Sequence, residues 1–117
     1  MQEQAIIDLA TYNQLKELMG ADFVEELVDT YNIETGALIE QLHQALASGE
    51  AASFGRYAHS IKSSSASLGA MVFSQQAREL EMMGKANDLS GAGPKVEMLA
   101  MNFLQVKQCL EDLRNES

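Results

Sequence analysis

Near the C-terminus, Val96, Leu99, Phe103, Val106, Leu110 and Leu113 recur at alternating steps of three and four. That spacing draws one apolar seam along a helix, and such a seam is stable only when other helices cover it. Upstream, a second stripe runs through Val24, Leu27, Tyr31, Leu38, Leu42 and Ala45, flanked by Val28, Ile39 and Leu46. A third covers Ala70, Phe73, Ala77, Leu80 and Gly84. No segment alternates with the period of two that a half-buried strand requires, so no strand is predicted.

Punctuation divides the chain into helices of about 9–19, 22–48, 50–67, 70–87 and 94–115. Asp8 is placed to cap the first, and Gly20 suits its left-handed stop. Asp22 with Glu25 three residues on has the form of a capping box. Ser48-Gly49 and Gly69 end the next two helices, and Pro94 suits a first helical position. The stretch K-A-N-D-L-S-G-A-G-P is the one loop-like composition. The expected fold class is all-α: an antiparallel up-down four-helix bundle with an additional short N-terminal helix capping it. At 117 residues, 1–117 is expected to form a single domain.

Charge and composition exclude several functions. The net charge of −9 repels phosphate backbones, and no basic cluster attracts an anionic membrane. Cys109 stands alone, so neither an internal disulfide nor a cysteine metal site can form within the chain. The early charges Glu3, Asp8, Lys16 and Glu17 speak against a signal peptide, and no apolar run approaches the roughly 20 residues of a membrane span. The expectation is a cytoplasmic, monomeric, free-standing protein that binds neither nucleic acid nor membrane and uses no metal and no cofactor. The methionines at 71, 82, 83, 98 and 101 are expected mainly as core filler, with those near His59 as a possible docking patch.

One stretch carries chemistry: Y-A-H-S-I-K-S-S-S-A-S-L-G, residues 57–69. At about 100° per residue, Phe54, Tyr57, Ala58, Ile61, Ser65 and Leu68 fall opposite His59. They form the inward face, and His59 points outward. One turn to either side of it stand Gly55 and Ser63, both small. A glycine inside a helix costs up to about 1 kcal/mol relative to alanine, and clearance for an approaching partner would account for that cost. Lys62, three residues on, shares the face. A lysine beside a histidine disfavours a metal cation but suits an anion forming on the imidazole. Neutral imidazole is a competent nucleophile, and a phosphoryl group brings about two negative charges that Lys62 could bond. If the third and fourth helices are antiparallel about Gly69, Glu79 to Glu81 reach the level of His59. Glu81, flanking Ala77 and Leu80, is a candidate to hold one ring nitrogen and leave the other free, and alternatively an ordinary edge carboxylate. His43, off the main stripe, is expected at the surface.

These residues resemble the histidine-containing phosphotransfer domain family, whose motif A-H-x-[LI]-K-G-x-S-x-x-L-G-A is matched at Ala58, His59, Ile61, Lys62, Ser65, Leu68, Gly69 and Ala70. Leu80 and Glu81 follow on the next helix, and the resemblance covers nearly the whole chain. Ser63 departs from the family's glycine after the lysine but remains small.

The resemblance implies that His59 accepts a phosphoryl group from the aspartate of a receiver domain, in a response regulator or hybrid sensor kinase, and passes it to another. Lys62 would stabilise the phosphoryl, and Gly55, Arg56, Ser63 and Ala66 would surround it on the docking face. Family members are not kinases, and no Gly-rich phosphate loop is present here. Any Mg²⁺ used in transfer would belong to the receiver. Two other readings stand beside this one: a non-catalytic bundle that binds receivers or kinases, and the phospho-accepting domain of a larger histidine kinase.

Overall fold

A computed structural model describes residues 6–115. Five helices follow in order: α1 Leu9–Met19, α2 Ala21–Ser48, α3 Ala51–Ser67, α4 Met71–Lys85 and α5 Ala92–Asn115, and no strand occurs among the described residues. Helices α2 to α5 form the bundle. Cross-links between neighbours run in opposite chain directions, as when Lys95 and Asn102 of α5 reach Glu79 and Gln76 of α4.

The turns explain why the helices end where they do. At Gly49 (φ 71°) and Gly69 (φ 94°) the chain turns left-handed. The amides after these turns fold back, Glu50 onto the Ala45 carbonyl at 2.9 Å and Ala70 onto Ser65 at 2.8 Å. This is the Schellman closure, which satisfies carbonyls a helix end would otherwise leave bare. Asn87 (φ 55°) does the same after α4, with the Asp88 amide returning to Met83 at 3.1 Å. Helix α4 therefore ends at Lys85 rather than running to 87.

Three local expectations are corrected. The first cap residue of α2 is Gly20, with no side-chain cap, so Asp22 lies inside the first turn and no capping box forms with Glu25. Asp8 does precede α1, but its carboxylate accepts the Thr11 hydroxyl at 2.6 Å instead of capping a backbone amide. Helix α5 begins at Ala92, which makes Pro94 its third residue, still within the turn where an amide proton is not needed.

Helix α1 lies against α2 with Ile7 and Tyr12 buried. The segment before it is clipped to the α3–α4 turn by the Asp8 amide, which donates to the Gly69 carbonyl at 2.8 Å.

The α5 seam is buried from Val96 to Leu110, with Leu113 half-buried. On α2 the buried line is Val24, Val28, Tyr31, Thr35, Ile39, Leu42 and Ala45, while Leu27, Leu38 and Leu46 lie half-buried beside it. Phe103 joins three helices, edge-on to Tyr31 and stacked on Phe73 with ring centroids 6.3 and 5.9 Å away. Most of the methionines are not core filler: Met71, Met82, Met98 and Met101 are exposed on the outward faces of α4 and α5, while half-buried Met83 packs against the core.

One polar bond crosses this core. Ser65 is fully buried, and its hydroxyl lies 2.7 Å from the Tyr31 phenol. Burial pushes the phenol up to about 12, against the opposing hydrogen bond from Ser65. Ser65→Ala removes that bond from the core and leaves the buried Thr35 hydroxyl as the polar group beside the phenol. Denaturant unfolding is expected to show a loss of about 1–3 kcal/mol, with the helical content of the native state unchanged.

Candidate functional site

The serine-rich stretch is helical because its hydroxyls are spent within the fold. Ser64 and Ser67 donate to the carbonyls of Ser60 and Ser63 at 3.0 and 3.1 Å, Ser65 meets Tyr31, and none competes for a helix amide. Helix α3 thus carries His59 outward, with its side chain 56% exposed.

The neighbouring helix comes unusually close. A Cβ added to Gly84 of α4 would lie 2.6 Å from both the Cα and the amide nitrogen of Gly55 on α3, so the two backbones touch there. Gly55 is accordingly buried. Its place on the His59 face of the wheel is corrected in meaning: the missing side chain admits α4, and the residue is not an open docking surface. A wheel drawn for one helix cannot show this, because the neighbour covers the outward face on one side.

Glu81, one turn before Gly84, reaches under the imidazole. The Nδ1 of His59 lies 2.7 Å from its Oε2. Lys62 Nζ is 2.8 Å from Oε1, and Lys85 Nζ is 3.2 Å from Oε2. Glu81 is only 3% exposed, so three donors replace the water it gives up on burial. The hydrogen bond from Lys62 is the largest cause holding its carboxyl down at about 2; burial opposes, and His59 and Lys85 add to the lowering. An ionised carboxylate only accepts hydrogen bonds, so Nδ1 carries a ring proton, and in the neutral imidazole Nε2 then keeps its lone pair. The Ser74 hydroxyl adds a further tie between the helices, donating to the Lys62 carbonyl at 2.8 Å.

This placement has a consequence with a definite sign. The folded value for Glu81 lies below the ordinary 4.5, so the stabilisation it reports is complete above about pH 4.5. It is lost as pH falls from there through about 2. Denaturant titrations across that window are expected to show a steeper fall for the wild type than for Glu81→Gln, which has no carboxyl to protonate.

The structure brings His59, Lys62 and Glu81 together. It places Lys62 on the carboxylate rather than standing free beside the ring. Ser63 and Arg56 are exposed, Ala66 is half-buried, and Arg56 donates to the Ser53 hydroxyl at 3.2 Å. His43 is exposed, and Glu79 pairs with Lys95 at 3.3 Å. Sequence reasoning missed Lys85. Its spacing of four from Glu81 was the available signal, since a lysine one turn after a glutamate is a favoured helical pair. Among the described residues no group of three or more His, Cys, Asp or Glu could hold a metal ion, and no helix is long and apolar enough to cross a membrane.

An all-helical bundle that presents a half-exposed histidine over a buried carboxylate and two lysines is the architecture of a phosphotransfer domain. The family model of the Hpt domain matches residues 26–116, and the chain belongs to that family. Among solved structures it is similar to histidine-containing phosphotransfer protein B (HptB) from Pseudomonas aeruginosa PAO1. The TM-score is 0.91 and the identity 26%, over 98% of this chain and 99% of that one. No curated protein matches it by sequence. Proteins of this family are phosphotransfer intermediates of phosphorelays and not kinases, and they work with receiver domains.

Proposed function

We propose that this chain relays a phosphoryl group between receiver domains on Nε2 of His59. The observation that carries this reading is the 2.7 Å contact between Nδ1 and the buried Glu81 carboxylate, which leaves the other ring nitrogen unprotonated on an exposed ring. In uptake, the Nε2 lone pair attacks the phosphorus of an aspartyl phosphate. The N–P bond forms as the acyl P–O bond breaks, and the aspartate leaves as a carboxylate. No proton need move: Nδ1 keeps its hydrogen, and Glu81 offsets the positive charge that develops on the ring. Release to a second receiver is the reverse sequence.

The lysines supply the charge balance. One carboxylate and two ammonium groups leave a single positive charge beside the neutral imidazole. An incoming phosphoryl group with about two negative charges is therefore attracted rather than repelled. Because both lysines bond Glu81, either can turn to the phosphoryl oxygens while the other still compensates the carboxylate. The side chain of Lys85 is 72% exposed and that of Lys62 28%, so Lys85 has the greater freedom to move.

Arg56, Ser63 and Ala66 surround the ring as the docking face, with Gly55 beneath it rather than on it. The net charge of −9 favours a protein partner over nucleic acid, and the cations beside His59 meet the acidic pocket of a receiver. We place the chain in the cytoplasm, as a monomer without kinase activity of its own. Incubation with a receiver carrying ³²P on its aspartate should transfer acid-labile, base-stable label to this chain. A chain that stays unlabelled with every receiver of its source organism contradicts the reading.

A further inference from the structure

The α3–α4 crossing lies one turn from His59 along α3 and three residues from Glu81 along α4. Both helices leave it toward the site, so the separation at the crossing governs the separation of the reacting pair. The contact is backbone to backbone. A Cβ on Gly84 would lie 2.6 Å from Gly55 Cα and 2.8 Å from the Ala51 carbonyl, and neither is the flexible end of a side chain. The converse is mild: a Cβ on Gly55 would sit 3.5 Å from Gly84 Cα, an ordinary contact. The demand for glycine therefore falls on Gly84.

We infer that Gly84 is a positioning residue for phosphoryl uptake: its bare Cα lets α4 touch α3, and that contact sets the reach of Glu81 to His59. This rests on the proposed role of His59. To admit a methyl group the backbones must part until the added Cβ, 2.6 Å from Gly55 as the helices stand, lies at least 3.4 Å away. The same opening carried to the His59–Glu81 bond would stretch it from 2.7 Å to the outer limit of a hydrogen bond, about 3.5 Å. With the carboxylate withdrawn, the proton no longer favours Nδ1, and the Nε2–H tautomer, which has no lone pair on the nitrogen facing the receiver, becomes populated.

The test is Gly84→Ala with ¹⁵N-labelled imidazole, read by circular dichroism, ring tautomer and phosphoryl uptake. The expected result is a helical protein whose His59 loses its Nδ1–H preference and whose uptake slows by about 10- to 100-fold. Leu110→Ala, destabilised from the fully buried far end of α5, should keep both the tautomer and the uptake rate. Gly55→Val wedges the same crossing from α3 and spills partly into the shallow hollow lined by Ala52, Arg56, Lys85 and Asn87. It should shift both readouts in the same direction by about threefold, and it decides the matter should Gly84→Ala not fold. A folded Gly84→Ala or Gly55→Val with wild-type tautomer and uptake overturns the inference, as does a Leu110→Ala that shifts both equally. Should the wild type take up no label, the phosphotransfer reading falls, while the tautomer readout still decides whether Gly84 positions Glu81.

Discussion

His59→Gln is expected to fold as the wild type does and to take up no phosphoryl group above background. The side chain it replaces is 56% exposed, so little packing is lost and the melting temperature should stay close to that of the wild type. Glutamine can still donate an amide hydrogen toward Glu81, which keeps the carboxylate partnered. Its amide nitrogen has no available lone pair, however, and cannot attack phosphorus. Structure is preserved while the nucleophile is removed. Label retained on His59→Gln would place the acceptor elsewhere, with exposed His43 the first alternative.

Glu81→Ala should slow phosphoryl uptake by about 100-fold or more, the range for losing one preorganised electrostatic partner of a reacting group. Two effects combine. The ring no longer has a preferred tautomer, and the positive charge that develops on it during attack is not offset. The stability loss should be smaller than burial alone suggests. Removing one partner of a buried charge pair costs about 3–5 kcal/mol when the other charge stays trapped. Here Lys62 and Lys85 reach solvent through flexible stems, so about 1–2 kcal/mol is expected. The rate effect, about 2.7 kcal/mol at 100-fold, is then the larger. Stopped-flow uptake and denaturant unfolding on the same variant separate the two, and wild-type uptake by Glu81→Ala would sink the orienting role.

The fold was legible because each long helix shows one apolar face at a consistent period. The α5 seam and the glycine turns at 49 and 69 place the bundle with only small errors at the helix ends. Each of those errors has a local cause. Gly20 joins α1 and α2 with a single residue, so the cap expected at Asp22 had no room. Asn87 ends α4 by turning left-handed, as glycine more often does.

The pair His59 and Lys62 could be read from one helix, and Glu81 from the antiparallel level of the next. What the two helices do to each other was not legible. Gly55 and Gly84 look like separate small residues, one read as clearance and the other as an interior position, until their backbones are seen in contact. Lys85 was hidden because its role depends on Glu81 being buried, which the sequence of one helix does not show. The exposed methionines show the remaining gap. Their hydrophobicity fits a core, but only packing reveals that the faces of α4 and α5 carrying them are left uncovered.

The most direct measurement is a ³¹P–¹⁵N correlation on the phosphorylated protein with ¹⁵N-labelled histidine. One phosphorus is expected, bonded to Nε2 of His59, with Nδ1 still carrying its proton against Glu81. Phosphorus on Nδ1, or on any residue other than His59, would contradict it.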